Sequence, residues 1–164
     1  MGKIFRLFFW MGSMLLLSCG SDNAYYFDYQ ALNHSWNKEE SVDFTFEPPD
    51  TIQPYNMYIN LRNDNNYPFS NLFLIVKLNF PDGRVIADTL EYEMAKPNGE
   101  WLGEGFTDLK ESKLWYKENV VFPDPGEYTV AIEHAMRKIG EAEGVGELEG
   151  ITDIGLQIEK SNKE

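Results

Sequence analysis

Histidines and carboxylates are the side chains of this sequence most able to do acid–base or metal chemistry. The two histidines, His34 and His134, lie far apart in the chain. His134 shares a strand phase with Ile132 and Met136, which favours a buried core histidine over a metal ligand. Four carboxylates alternate with apolar residues: Asp43, Glu47, Glu91 and Glu93. Such alternation is typical of a solvated strand face, whereas glycosidase chemistry needs two acids placed across a substrate.

Other catalytic signatures are missing from the sequence. It contains no nucleophile elbow, no histidine pair with zinc-site spacing, no phosphate loop and no dinucleotide fingerprint. We therefore predict a protein that is not an enzyme, with no catalytic residues, no cofactor and no metal site.

Cys19 is the only cysteine of the chain, so it cannot form an internal disulfide. It follows a basic start and an apolar run, Leu7–Leu17, that has the length of a signal-peptide core. That run is too short to span a bilayer, because a spanning helix needs about 20 apolar residues. The string Leu16-Leu17-Ser18-Cys19 resembles the lipobox of bacterial lipoproteins, in which the chain is cut before the cysteine and the cysteine is acylated. We predict that residues 1–18 are a cleaved signal peptide and that Cys19 carries lipid, palmitate included. A plain secretory signal or a short buried helix is the alternative.

Two further groups of residues could bind a ligand. The cluster 63–66, Asn-Asp-Asn-Asn, offers oxygen atoms that Ca²⁺ accepts, but it lacks the ligand spacing and closing glutamate of a calcium loop, so turn formation explains it. Aromatic residues make up 15% of the chain, and most fall at core-facing strand positions. Four are candidates for exposed rings: Tyr58, Trp101, Trp115 and Tyr116. Exposed rings could stack on sugars or anchor a protein interface, and the sequence leaves both uses open.

The net charge is −13, and it becomes −15 once the two basic residues of segment 1–18 are removed. This acidity excludes nucleic acid as a partner, because binding to phosphates needs clustered lysine and arginine. It also excludes electrostatic adhesion to anionic lipid headgroups. We therefore expect membrane attachment through the lipid on Cys19 rather than through surface charge.

Alternation of apolar and polar residues dominates the rest of the chain and predicts short, half-buried strands. It is clearest over residues 42–46, 55–61 and 128–136. The stretch Leu72–Val76 is continuously apolar, so we expect a central strand that is covered on both faces. The aromatic segment Tyr25–Tyr29 predicts a first edge strand docked on the domain.

Turn residues separate the predicted strands. Pro81-Asp82-Gly83 predicts a hairpin turn, residues 33–40 a further turn, and the glycine- and glutamate-rich residues 140–150 an exposed loop. Residues 99–106 predict a short, bulged strand. Tyr128 follows a proline–glycine turn, which resembles the tyrosine corner of immunoglobulin-like domains, although an inward-facing aromatic explains it equally.

No stretch of the chain predicts a helix of three turns. About eight short strands with regular turns predict an all-β fold, an antiparallel β-sandwich of immunoglobulin-like or jelly-roll-like type. We place the sandwich at residues 25–164, behind a lipid-anchored spacer at residues 19–24.

Several short strings occur in a recognisable order along the domain. They are Tyr55-Asn56, Leu61-Arg62-Asn63, Tyr67-Pro68-Phe69-Ser70-Asn71-Leu72-Phe73, Asp88-Thr89-Leu90, Gly99-Glu100-Trp101-Leu102-Gly103, Phe122-Pro123, Gly126-Glu127-Tyr128, Ala135-Met136-Arg137 and Ile151-Thr152-Asp153-Ile154-Gly155-Leu156. In order and spacing they resemble the GldH family of gliding-motility lipoproteins of the Bacteroidetes. The resemblance implies a non-enzymatic envelope lipoprotein that works beside the gliding and type IX secretion machinery. It implies an assembly or stabilising role, with envelope lipoproteins or motility and secretion proteins as partners.

The residues after Cys19 bear on where such a lipoprotein resides. Gly20-Ser21 lacks the aspartate associated with inner-membrane retention in some bacteria, which favours the outer membrane. Asp22 is a lone acid rather than an acidic run, which favours the periplasmic face over the cell surface. The alternative function is a glycan- or envelope-ligand-binding module. That alternative predicts an exposed platform of at least two coplanar aromatic rings, or a concave aromatic groove.

Overall fold

The computed structural model describes residues 24–161. The predicted signal peptide, Cys19 and the spacer before residue 24 lie outside the described residues, as do residues 162–164. Within residues 24–161 no helix has the length and hydrophobicity needed to cross a membrane.

Ten strands make up the fold, and the described residues form no helix. The strands are β1 (Ala24–Ala31), β2 (Ser35–Asn37), β3 (Val42–Phe46), β4 (Tyr55–Asn63), β5 (Asn71–Asn79), β6 (Val85–Glu93), β7 (Lys110–Val120), β8 (Tyr128–His134), β9 (Glu147–Glu149) and β10 (Ile151–Lys160). A first sheet has the order β1-β10-β4-β7, and a second sheet has the order β3-β8-β5-β6. All strand pairs are antiparallel. The predicted all-β sandwich is therefore confirmed.

The core lies between the two four-stranded sheets and follows the alternation in the sequence. In β3, for example, Val42, Phe44 and Phe46 are buried while the residues between them are exposed. Aromatic rings fill much of one end, where Phe46, Phe122 and Tyr128 lie with centroids 5.0–5.9 Å apart. Full burial of one such apolar side chain contributes about 1.5–3 kcal/mol, so packing accounts for stability in this disulfide-free domain.

Tyr128 is fully buried and closes the loop that precedes its own strand. Its hydroxyl donates to the Asp124 carbonyl (3.0 Å) and accepts from the Asp124 N–H (3.1 Å). A tyrosine that binds the backbone a few residues upstream has the geometry of a tyrosine corner. Tyr128 therefore forms a tyrosine corner and also faces inward as a core aromatic.

Two polar stretches that the sequence predicts as a turn and an exposed loop instead form the small sheet of β2 and β9. Trp36 of β2 and Leu148 of β9 face each other in register and are fully buried. A single large apolar residue in a short polar segment is enough to hold the segment on the core, and such a residue produces no periodic pattern in the sequence.

The prediction of a bulged strand at residues 99–106 was also wrong. This segment forms only isolated bridges, Ala95 with Trp101 and Glu104 with Glu111.

The strand register defines two ends of the sandwich. At one end Ala24 pairs with Glu159, and Lys160 pairs with Tyr55. This end also carries the loop at residues 47–54 and the turns at 80–84 and 121–127, and we call it the anchor end. The opposite end, called the far end, carries β2, β9 and the loops at residues 64–70, 94–109 and 135–146.

Candidate interaction surfaces

Two of the four aromatic candidates meet on the outer face of the first sheet. Tyr58 of β4 lies opposite Trp115 of β7, with ring centroids 4.5 Å apart and ring planes 47° apart. Trp115 is 50% exposed, whereas Tyr58 is only 8% exposed. Tyr58 therefore packs as an interior residue although its strand phase points it away from the core. Burial, followed by the nearby Glu159 carboxylate, raises the pKa of the Tyr58 hydroxyl.

Polar side chains pack around this aromatic pair. Lys113 places its ammonium 4.0 Å from the centroid of the Tyr58 ring and 2.8 Å from the Glu159 carboxylate. The Asn60 amide donates to the Gln157 side-chain oxygen (3.1 Å), and both residues are buried. Gln157 in turn donates to Glu159 (2.6 Å). A cation over an aromatic face is attracted by the ring, which favours this position of the Lys113 ammonium. Together these hydrogen bonds and the ion pair connect the polar side chains into one layer outside the sheet.

The other half of the same face is built on Tyr29 of β1. The Tyr29 ring lies against its cross-strand partner Gly155, where a Cβ atom would come within 2.7 Å of two ring carbons. Arg62 places its guanidinium carbon 4.2 Å from the centroid of the Tyr29 ring and its Nε 2.7 Å from the Glu111 carboxylate. Burial, followed by the charge of Glu111, raises the pKa of Tyr29.

Phe27 completes this surface at its β1 edge. It is 56% exposed, and its ring meets Tyr29 edge-on at a centroid distance of 5.2 Å. We call the set Phe27, Tyr29, Arg62, Tyr58, Lys113 and Trp115 the outer aromatic face. It exposes one ring at each lateral edge, on β1 and β7, which lie three strand spacings or about 14 Å apart.

Tyr116 lies on the opposite face of β7 and is buried. Its hydroxyl donates to the Asp88 carboxylate of β6 (3.3 Å), and Lys117 pairs with the same carboxylate at 2.7 Å. Burial, followed by the charge of Asp88, raises the pKa of Tyr116. The residue joins the edges of the two sheets and is not available as an exposed ring.

Trp101 lies apart from the other three, in the loop at the far end. Its Nε1 donates to the Asn65 side-chain oxygen (3.3 Å), and its ring lies 6.1 Å from that of Tyr67. The structure therefore brings together only Tyr58 and Trp115 of the four candidates. Sequence reasoning missed Phe27, Tyr29, Arg62 and Lys113. These four residues point to the same outer face from strands of one sheet. Recognising them as a group therefore requires the strand order.

The histidines and the oxygen-rich cluster have structural partners. His134 is buried, as predicted, with its Nε2 3.0 Å from the Trp36 carbonyl, and burial lowers its pKa. His34 lies 2.7 Å from the Asp64 carboxylate. Asp64 also accepts the Asn66 N–H (2.8 Å), which is the turn chemistry expected of this cluster. Within residues 24–161 no three metal-ligating side chains converge.

The four carboxylates that alternate with apolar residues are all exposed. Asp43 accepts a hydrogen bond from the Ser41 hydroxyl, and Glu91 accepts one from the Asn71 amide (3.1 Å). They lie on or beside the outer face of the second sheet, which agrees with the predicted solvated face.

Comparison with known proteins gives a consistent result. The family described as GldH lipoprotein matches residues 24–158. The gliding motility lipoprotein GldH homolog of Christiangramia forsetii is 51% identical over 162 residues, which covers 99% of both chains. The gliding motility lipoprotein GldH of Flavobacterium johnsoniae is 48% identical over 153 residues, covering 93% of this chain and 94% of that protein.

Solved structures give only distant likenesses. The infectious bursal disease virus VP2 subviral particle matches with a TM-score of 0.43 and 16% identity, over 84% of this chain and 32% of that one. A family GH115 4-O-methyl-alpha-glucuronidase matches with a TM-score of 0.39 and 13% identity, over 85% of this chain and 17% of that one. Neither likeness bears on function.

Proposed function

The chain belongs to the GldH lipoprotein family, and from this membership we propose that it is a lipid-anchored envelope protein that serves gliding motility by protein contact rather than by catalysis. The observation that carries the proposal is the 48% identity to the gliding motility lipoprotein GldH of Flavobacterium johnsoniae over 93% of this chain. Identity of that extent includes the whole sandwich rather than one motif, so the relative's surfaces and its fold are expected to be shared.

Within that machinery we assign the protein an assembly or stabilising role beside the gliding and type IX secretion components. Its partners on this proposal are other envelope lipoproteins or motility and secretion proteins. The outer aromatic face supports action by contact, because tryptophan, tyrosine and arginine are the residues enriched among protein-interface anchors. The exposed rings are Phe27 and Trp115.

The proposed attachment is through lipid on Cys19, on the periplasmic face of the outer membrane. Two or three acyl chains, at about 0.8 kcal/mol for each buried methylene, would hold the protein on the bilayer far more firmly than one chain. The first strand begins at Ala24, five residues beyond Cys19. The sandwich would therefore stand close to the membrane surface.

A glycan- or envelope-ligand-binding module is the second candidate, and the exposed Trp115 is the observation that favours it. The platform of coplanar rings that this function needs is not formed by Tyr58 and Trp115, because their planes are 47° apart and Tyr58 is buried. We therefore rank it below the role in motility.

Deletion of the gene in a gliding host, followed by complementation, tests the proposal. We expect the deletion to abolish spreading on agar and to reduce secretion of surface proteins, and the wild-type gene to restore both. A Cys19→Ser variant should fail to restore them and should not incorporate an alkyne-tagged palmitate that labels the wild type. Normal gliding and secretion in the deletion strain would contradict the proposal.

A further inference from the structure

The chain between Cys19 and the sandwich is short compared with the sandwich itself. Five residue steps separate Cys19 from Ala24, a chain length of at most about 17 Å. The longest strand of the first sheet, β7, has 11 residues and extends about 36 Å. If Cys19 is lipidated, as the proposed function has it, the anchor end is the part of the domain held nearest to the bilayer.

Two loops of the anchor end project past the first residue of β1. Ala24 lies one row of the first sheet short of the pair formed by Tyr55 and Val120. The loop at residues 47–54 leads into Tyr55, and the turn at residues 121–127 follows Val120. Both loops therefore start further from the far end than Ala24 does. With the anchor end towards the bilayer, they are the parts of the domain that meet it first.

These two loops expose apolar side chains. Ile52 is 78% exposed and Val121 is 43% exposed. The Asp50 carboxylate accepts the Ile52 N–H (2.9 Å) and the Gln53 N–H (2.6 Å), which fixes the turn that presents Ile52. Ile139 at the far end is exposed as well, so exposure alone does not select a membrane-facing residue. The short tether makes the selection, because it holds only the anchor end beside a bilayer, where apolar side chains gain by leaving water.

The loops of the anchor end are also poor in backbone donors. Together the loops at residues 47–54, 80–84 and 121–127 contain six of the eight prolines of the chain. Proline has no backbone N–H, so these positions have no donor that would lose its water when the loops approach a bilayer. Such loops therefore lose less hydration on contact with a membrane than ordinary loops would.

Charge decides which kind of lipid suits this end. The three loops contain five carboxylates, and Arg84 is their only basic residue. Arg84 pairs with Asp82 and Asp124, which joins two of the loops. An anionic bilayer would repel the remaining negative charge, whereas a zwitterionic headgroup carries an ammonium group that attracts carboxylates. Charge complementarity therefore selects zwitterionic lipid.

We propose that the anchor end of the sandwich rests on a zwitterionic bilayer, with Ile52 and Val121 in contact with its headgroup region. The lipid on Cys19 keeps the domain at the membrane, and this contact keeps the domain upright. The outer aromatic face then points sideways, towards neighbours on the same membrane.

Fluorescence quenching by lipid tests this contact. The sample is the acylated lipoprotein in vesicles of phosphatidylcholine and phosphatidylethanolamine that contain doxyl-labelled lipid. Acylation leaves Cys19 without a thiol, so Ile52→Cys provides a single site for a bimane label. Ile139→Cys is the matched control, because it replaces an exposed isoleucine at the far end. We expect quenching of the label at Ile52→Cys to be at least threefold stronger than at Ile139→Cys.

Two changes should weaken quenching of a label at Thr51→Cys, next to Ile52. Replacing about half of the lipid with anionic phosphatidylglycerol should lower it at least twofold, because the anchor end is acidic. The double variant Ile52→Glu with Val121→Glu should lower it to the level of the far end, whereas Ile139→Glu should leave it unchanged. All three substituted side chains are exposed, so the fold should persist, and the midpoints of urea unfolding check this.

Equal quenching at Ile52→Cys and Ile139→Cys would overturn the proposal, and so would quenching that the double variant leaves intact. Strong quenching confined to a label at Trp115→Cys would also overturn it, because the domain would then lie with its outer aromatic face on the bilayer. Bimane labelling of the wild type would reveal a free thiol at Cys19 and would overturn the lipid anchor itself. Failure of the membrane contact and failure of the proposed anchor are therefore separate results.

Discussion

The outer faces of the two sheets carry similar alternating patterns but are packed differently. In the second sheet the central strand β5 leaves its outward residues Phe73, Ile75 and Lys77 half-buried. In the first sheet the central strand β4 leaves the outward residues near its ends, Asn56 and Arg62, half-buried but buries Asn60 in its middle to 2% exposure. Tyr58 behaves in the same way. The middle of β4 therefore has interior packing on both faces and β5 has it on one, whereas the outward residues Lys113 and Trp115 of the edge strand β7 are exposed.

The cause lies in the neighbouring strands. Around Lys77 the adjacent outward positions are Ala87 and Ala131, which are too small to cover it. Around Tyr58 they are Gln157 and Trp115, which are long enough to lean over the strand. An outward residue is thus buried or exposed according to the size of its cross-strand partners, because those partners are its nearest neighbours.

The largest difference between the faces is expected from truncation of matched central residues. Tyr58→Ala removes a ring packed against Trp115 and Lys113 and should lower the free energy of unfolding by about 3 kcal/mol. Ile75→Ala on the second sheet should cost about 1 kcal/mol, because its side chain is only half-buried. Urea unfolding of both variants measures the two values. Equal losses would show that the two faces contribute alike.

An intermediate effect is expected from adding atoms at matched positions on β10 and β8. Gly155→Val forces atoms into the Tyr29 ring, from which even a Cβ would be only 2.7 Å away, and should cost about 2 kcal/mol. The pairing of a strand glycine with a covering aromatic ring is a known way to stabilise a sheet. Ala131→Val lies between Lys77 and Asp43 and should change stability by no more than about 0.5 kcal/mol. Thermal unfolding compares them, and a tolerated Gly155→Val would mean that the Tyr29 ring moves freely.

The smallest difference concerns one lysine on each face. Lys113→Met removes both the ion pair with Glu159 and the contact with the Tyr58 ring, and should cost about 1 kcal/mol. Lys77→Met removes the ion pair with Glu133 and should cost about 0.5 kcal/mol or less. Unfolding at low and high salt separates the contributions, because salt weakens exposed ion pairs. If 1 M salt removed the whole Lys113 effect, its contact with the ring would contribute nothing.

The sequence predicted most of the fold, because alternation reports which side of a strand faces the core. The residues of β3 and β8 behave as predicted, and so does the hairpin turn at residues 81–83, where Gly83 has a φ of 85°. The prediction of which strand is covered on both faces was wrong. The apolar run Leu72–Val76 predicts β5, yet β5 is covered on one face and β4 is covered on both. Tyrosine and asparagine at the outward positions of β4 carry no hydrophobic signal of burial.

The candidate surfaces were predicted only in part. Trp115 was one of the four candidates for an exposed ring, and the structure exposes it. Tyr116, its neighbour, was another, but the opposite strand phase buries it against β6. Phe27 and Tyr29 were assigned only to an edge strand, because their proximity to Arg62 depends on β1 pairing with β10 and β10 with β4.

The sequence by itself determined the strand composition, the acidity, the single cysteine near the start and the family resemblance, because each of these is written in residue type and local order. The tertiary structure decided which outward residues are buried, and it placed Ile52 and Val121 at the same end of the sandwich as Ala24. These properties depend on strand order and register, which bring together residues that are distant in the chain. No local pattern encodes which strands become neighbours, so the surfaces that could contact a partner emerge only when the sheets are assembled.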